Sequence, residues 1–139
     1  MRIMSVDLGK VRTGIAVSDI NEYLASPFCV IKEKSREILA GKVANIADEN
    51  NVSQIVIGLP LNMDGSEGES ALSAREFSEI LSARTQAEVL LQDERGTTVS
   101  AHGYLNVTDT RGKKRKAVVD AVAATIILQD YLDFRRNNK

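Results

Sequence analysis

Aromatic residues are scarce in this chain: it has no tryptophan, three tyrosines and three phenylalanines in 139 residues. Stacking of unpaired bases on ring faces is therefore a minor term in any recognition it performs. There is one cysteine, Cys29, and one histidine, His102. That excludes an internal disulfide and a thiolate or histidine-rich metal site, so any metal has to be held by oxygen ligands. Eighteen Lys and Arg stand against nineteen Asp and Glu. With so little net charge there is no global attraction to nucleic acid, and any basic surface has to be local. No apolar stretch is long enough to span a bilayer and no signal-peptide pattern opens the chain, so a soluble cytoplasmic protein without membrane partners is expected. The length fits one domain, residues 1–139, with a real core.

What the chain does have is an aspartate in an apolar run. Met1-Arg-Ile-Met-Ser-Val-Asp7-Leu-Gly9 is followed at once by Val11-Arg-Thr-Gly14-Ile-Ala-Val-Ser-Asp19. Two β-prone stretches so close together read as a hairpin, with Asp7 inside a central strand. An acid there is costly unless something compensates it. Gly9 and Gly14 lack a Cβ and allow an anionic group or its metal to approach closely, so the segment reads as a site for phosphate chemistry. The plainer alternative is an aspartate that closes a tight turn through its own backbone.

Further along, Tyr23–Ile31 reads as a third strand, made an edge or an irregular start by Pro27. Ser35 caps a helix whose apolar face is Ile38, Leu39, Val43, Ile46 and Ala47, ended by Asn50-Asn51. Gln54–Pro60 is a continuous apolar run, expected for a strand covered on both faces. The loop Leu61–Gly68 leads into a helix carrying Leu72, Phe77, Ile80 and Leu81, and Glu88–Glu94 is the fifth strand. Thr97 or Thr98 caps a short helix through Tyr104, Asp109–Lys116 is a basic linker, and a last helix runs from about Ala117 to Arg135. An antiparallel meander followed by β-α-β crossovers predicts an α/β fold with a mixed five-stranded sheet and helices on both faces. Ligands collect at the carboxyl ends of the central strands of such sheets.

Three acids fall at that crevice: Asp7, an acid closing the fifth strand, and Asp120. Asp120 shares a helical stripe with Ala123, Ala124, Ile127 and Leu128, and the alanines around it allow the helix to lie close to the sheet. The alternative is an Asp120 in solvent paired with Lys116. At the fifth strand either Asp93 or Glu94 fits, since adjacent residues point to opposite faces. Converging carboxylates repel unless a cation neutralises them, and Mg²⁺ or Mn²⁺ suits carboxylate oxygen. With such ions bound, the chemistry is phosphodiester hydrolysis. Around this centre, Gly9, Lys10 and Arg12 follow Asp7, and Asn62 and Ser66 lie before a helix N-terminus that favours an anion. Arg95 follows the fifth strand, and Lys113, Lys114 and Lys116 lie in the basic run before Asp120. A polyanion, and thus nucleic acid, is the expected substrate. His102 reads as an ordinary helix residue and Cys29 as core.

The motifs Val6-Asp-Leu-Gly9 with Thr13–Asp19, Ile57–Gly65, Asp93-Glu-Arg95 with Thr97-Thr98, and Asp120–Leu128 together resemble the YqgF/RuvX family across essentially the whole chain. The resemblance implies a ribonuclease H-like fold related to Holliday junction resolvases. It also implies a nuclease that matures the 5′ end of pre-16S rRNA, with Asp7, Glu94 and Asp120 as the catalytic and metal-binding acids. The expected partners are then structured RNA, ribosomal precursor particles or branched DNA, acted on by a monomer or weak homodimer. Gly96 departs from the family pattern, where a larger apolar residue usually precedes Ser-Thr. Two other readings compete. One is an ATP-binding protein of the actin and sugar-kinase superfamily, which needs two such lobes. The other is a non-catalytic RNA-binding assembly factor.

Overall fold

The computed structural model describes residues 1–60, 64–93 and 112–137, with the side chains of the last helix described from Ala121 onward. The elements follow as β1 (Arg2–Asp7), β2 (Arg12–Ser18), β3 (Ala25–Lys32), α1 (Arg36–Glu49), β4 (Val52–Leu59), α2 (Glu69–Ser82), β5 (Glu88–Asp93) and α3 (Gly112–Asn137). The strands form one sheet in the order β3-β2-β1-β4-β5. β2 is antiparallel to both of its neighbours, β3 and β1, while β4 and β5 continue parallel to β1. This is the mixed sheet expected from a meander followed by crossovers, and β1 is its central strand.

The alternation of side chains along each strand splits the core in two. Met4, Val6, Ile15, Ile55 and Ile57 point to the face covered by α1 and α2, which contribute Leu39, Val43, Phe77 and Leu81. Ile3, Ala16 and Val56 point to the other face, where Ala124, Ile127, Leu128 and Leu132 of α3 cover them. Each large side chain fully removed from water contributes about 1.5–3 kcal/mol. β4 is therefore apolar on both sides, as its unbroken run requires. α1 starts where the Ser35 hydroxyl accepts from the Ile38 N–H and ends at Asn50, followed by Asn51 at φ 54°, a left-handed turn that asparagine tolerates.

Ile38 and Leu72, expected on apolar helix faces, are 53% and 55% exposed. α2 buries the stripe Ala71, Ala74, Phe77 and Leu81 instead, and Leu72, about 100° away from Ala71 around the helix, faces water. The basic run read as a linker is also corrected: α3 is helical from Gly112. Lys, Arg and Ala are strong helix formers, so nothing in Lys113–Ala117 resists helix. β3 is an edge strand, as Pro27 suggested. Its pairing shifts between Ile15–Cys29 and Ala16–Pro27, leaving Phe28 as an extra, bulged residue.

Candidate active site

Asp7 is the last residue of β1, at the carboxyl end of the central strand rather than in its interior. Ile3 lies under α3, and two residues on the Ser5 hydroxyl donates 2.6 Å to the Ala124 carbonyl of α3. A further step of two puts half-buried Asp7 on that same face. α3 runs antiparallel to β1, because the Tyr131 hydroxyl donates to the Gln54 side chain, level with Ile3, whereas Ala124, earlier in the helix, accepts from Ser5, later in the strand. Asp7 lies about 6.6 Å past Ser5 along the strand, and position 120 lies about 6 Å before Ala124 along the helix. The two acid positions thus come level on facing elements. The close approach comes from the small residues foreseen in α3 and from the Ser5 hydroxyl, which spans strand and helix backbone.

Ser5 carries a stability prediction. Ser5→Ala removes one buried hydrogen bond and should cost about 1 kcal/mol. Ser5→Val forces two methyls against the helix backbone and should cost about 1–3 kcal/mol. Urea unfolding of both variants, with the alanine the more stable, is the expected result.

At the fifth strand, Val89 and Leu91 pack on the α1/α2 side, whereas the Gln92 amide reaches the Ile127 carbonyl of α3 at 3.5 Å. Asp93 accordingly belongs to the face away from Asp7 and is exposed. Glu94, Arg95, Asn62, His102 and the helix expected after Thr97 or Thr98 lie outside the described residues. Lys113, Lys114 and Lys116 stand at the start of α3. Among the described residues, no three His, Cys, Asp or Glu side chains come together as a metal site.

The turn after Asp7 is held from two sides. The Gly9 carbonyl accepts 2.9 Å from the Arg36 guanidinium at the start of α1. A Cβ on Gly9 would lie 2.0 Å from the Arg12 carbonyl, so only glycine fits. Lys10 is exposed beside it and Arg12 half-buried. Gly9 and Lys10 share a small cleft with Arg36, Glu69, Ser70 and Ser73. Ser66 donates both its N–H and its hydroxyl to the Asp64 carboxylate, at 2.9 and 2.6 Å, closing its own turn. Cys29 packs against the core, and burial pushes its thiol pKa up, which suits packing rather than nucleophilic attack. Larger depressions, of about 460 and 410 Å³, share Asp48 and Gln86 and include Met1 and Val52, at the opposite end of the parallel strands.

Sequence reasoning missed Ser5, Arg36 and Gln92. The available signal was a polar residue at an alternate position of an otherwise apolar strand, as for Ser5 and Gln92.

The chain matches the RuvX family, described as Holliday junction resolvase, over residues 1–134. It is 44% identical to a protein of Endomicrobium trichonymphae over 135 residues, 96% of each chain. It is 42% identical to one of Clostridium botulinum, covering 96% of this chain and 97% of that one. Both relatives carry the name "Putative pre-16S rRNA nuclease". Among solved structures it is similar to T. thermophilus RuvC in complex with Holliday junction substrate, with TM-score 0.61 and 14% identity over 99% of this chain and 96% of that one. The fowlpox virus Holliday junction resolvase gives TM-score 0.57 and 14% identity, over 96% and 99%. At such identity the likeness concerns the fold, which is ribonuclease H-like, with the 3-2-1-4-5 sheet flanked by helices. The chain belongs to the RuvX family.

Proposed function

We propose that this protein is a metal-dependent nuclease that hydrolyses phosphodiester bonds of structured RNA in the 5′-end processing of pre-16S rRNA. The observation that carries the reading is the level placement of Asp7 and position 120 on facing elements at the carboxyl end of the central strand. The names of the relatives at about 40% identity support the RNA substrate.

The donor set fits a hard divalent cation. Asp7, Glu94 and Asp120 would hold Mg²⁺ or Mn²⁺, and Gln92 on the α3 side favours Glu94 over Asp93 as the third ligand. When bound, the metal lowers the pKa of a coordinated water and stabilises charge on the leaving oxygen. The chain supplies the rest. The Ser5–Ala124 bond keeps helix and strand at a fixed separation, and the Arg36–Gly9 bond fixes the turn that carries Lys10 and Arg12. Gly14, paired with Asp7 across β1 and β2, is buried and adds no side chain beside the carboxylate.

Lys113, Lys114 and Lys116 stand at the N-terminal end of α3, whose first turn holds no acid. Cations there oppose the helix dipole, an arrangement that an anionic partner relieves. Replacing all three by Ala should lower the salt slope of log K for RNA binding by about 2, from about 0.7–0.9 per phosphate contact. Thermal stability should hold or rise slightly. Equal slopes for wild type and triple variant would remove these lysines from the substrate track.

The deciding experiment offers structured pre-16S precursor RNA and four-way DNA junctions with Mn²⁺ or Mg²⁺. Cleavage of the RNA is expected. Cleavage of junctions alone would replace this reading by junction resolution, the activity in the family's description, and metal-independent binding without cleavage would make the protein an assembly factor.

A further inference from the structure

Arg12 and Lys32 are direct cross-strand partners at the open end of β2 and β3, although twenty positions separate them in sequence. Their faces follow from the core. Ile15 of β2, and Cys29 and Ile31 of β3, pack on the α1/α2 side, so Arg12 and Lys32 stand on the other face, the one that carries Asp7. Asp7, Gly14 and Val30 form one row across β1, β2 and β3, and Arg12 and Lys32 stand two residues beyond it.

Like charges directly opposite each other across an antiparallel pair are destabilising. No ion pair or side-chain hydrogen bond relieves these two among the described residues. Glu33, next in sequence to Lys32, is taken up by Lys42 at 3.3 Å and by the Ser35 N–H at 3.1 Å. Asp7 is an acid on their own face, one row away.

We infer that Arg12 and Lys32 form a clamp for one phosphate of the substrate strand on the β3 side of the reaction centre. Lys32 is two strands from β1, about 10 Å sideways, and about 7 Å further along. A phosphate held there belongs to the same strand, a few nucleotides from the one presented at Asp7, at about 3.4 Å rise per nucleotide. Guanidinium and ammonium divide the work: Arg12 offers a bidentate fork and Lys32 a mobile point charge. This deepens the proposed nuclease reading and rests on it.

The test measures binding of a structured RNA to the full chain across a salt series without divalent metal, together with melting temperature. Wild type, Lys32→Ala, Lys32→Glu, Lys32→Arg and Lys42→Ala are compared. Lys32→Ala should weaken binding about 3- to 10-fold at moderate salt and reduce the salt slope by about 0.7–0.9. Lys32→Glu should weaken it further, and Lys32→Arg should restore it. The melting temperature of Lys32→Ala should hold or rise, because a like-charge pair is removed; a residue with a merely structural role would lower it. Lys42→Ala should bind as wild type. Unchanged affinity and slope in Lys32→Ala, with wild type binding RNA normally, would overturn the clamp and leave the nuclease reading standing. Absence of RNA binding by wild type would overturn both.

Discussion

Asp7→Asn should fold as wild type and lose cleavage by about 10³-fold or more. Asparagine keeps the size and shape of the side chain and removes the charge that a divalent cation needs. Several kcal/mol of transition-state stabilisation depend on that cation, and each 1.36 kcal/mol is a factor of ten in rate. Asp7 ends its strand and is only half-buried, so its melting temperature should move by a few degrees at most. Metal-dependent cleavage of precursor RNA and a thermal melt on the same preparation check both halves. A variant that still cleaves at the wild-type rate would remove Asp7 from the reaction.

The second large effect is expected from the turn. Gly9→Ala places a methyl 2.0 Å from the Arg12 carbonyl, a contact that no rotamer change relieves because both atoms belong to fixed backbone. The turn has to move, which strains the Arg36–Gly9 bond and shifts Lys10 and Arg12 relative to Asp7. The expected loss is about 2–3 kcal/mol, equivalent to about 10 °C in melting temperature for a chain of this length, with cleavage falling more than stability alone explains. Gly41→Ala is the control. A Cβ at Gly41, inside α1, meets nothing within 4 Å, and alanine there should stabilise by about 0.5–1 kcal/mol. Opposite signs for the two substitutions are the result to look for in urea unfolding.

The strands were legible because their signals are local. The β-prone runs of β1 and β2, the unbroken apolar run of β4 and the proline in β3 each report their own surroundings. Ser35 announced α1 for the same reason. The start of α3 was not legible, because a run of Lys and Arg satisfies helix propensity and linker composition equally well. The exposure of Leu72 was hidden by the alanines of α2, which bring that helix in by their smallness and carry little hydrophobic signal. At the site, Asp7 and Asp120 could be singled out as acids in apolar company. Which side of the sheet Asp93 takes became visible only with Gln92 placed against α3. The opposition of Arg12 and Lys32 is a property of register alone, invisible until β2 and β3 are aligned.

The blunted edge of β3 bears on how many copies of this chain can act together. Cutting two strands of a branched substrate in step calls for two centres related by a two-fold axis. The simplest way for a sheet protein to acquire that axis is to join edge strands into one continuous sheet across the pair. Proline at position 27 withdraws a main-chain donor from this edge, and the extra residue at Phe28 throws its spacing out of step. Both features oppose the merging of two copies along this side, which leaves side chains to make any symmetric partnership through it.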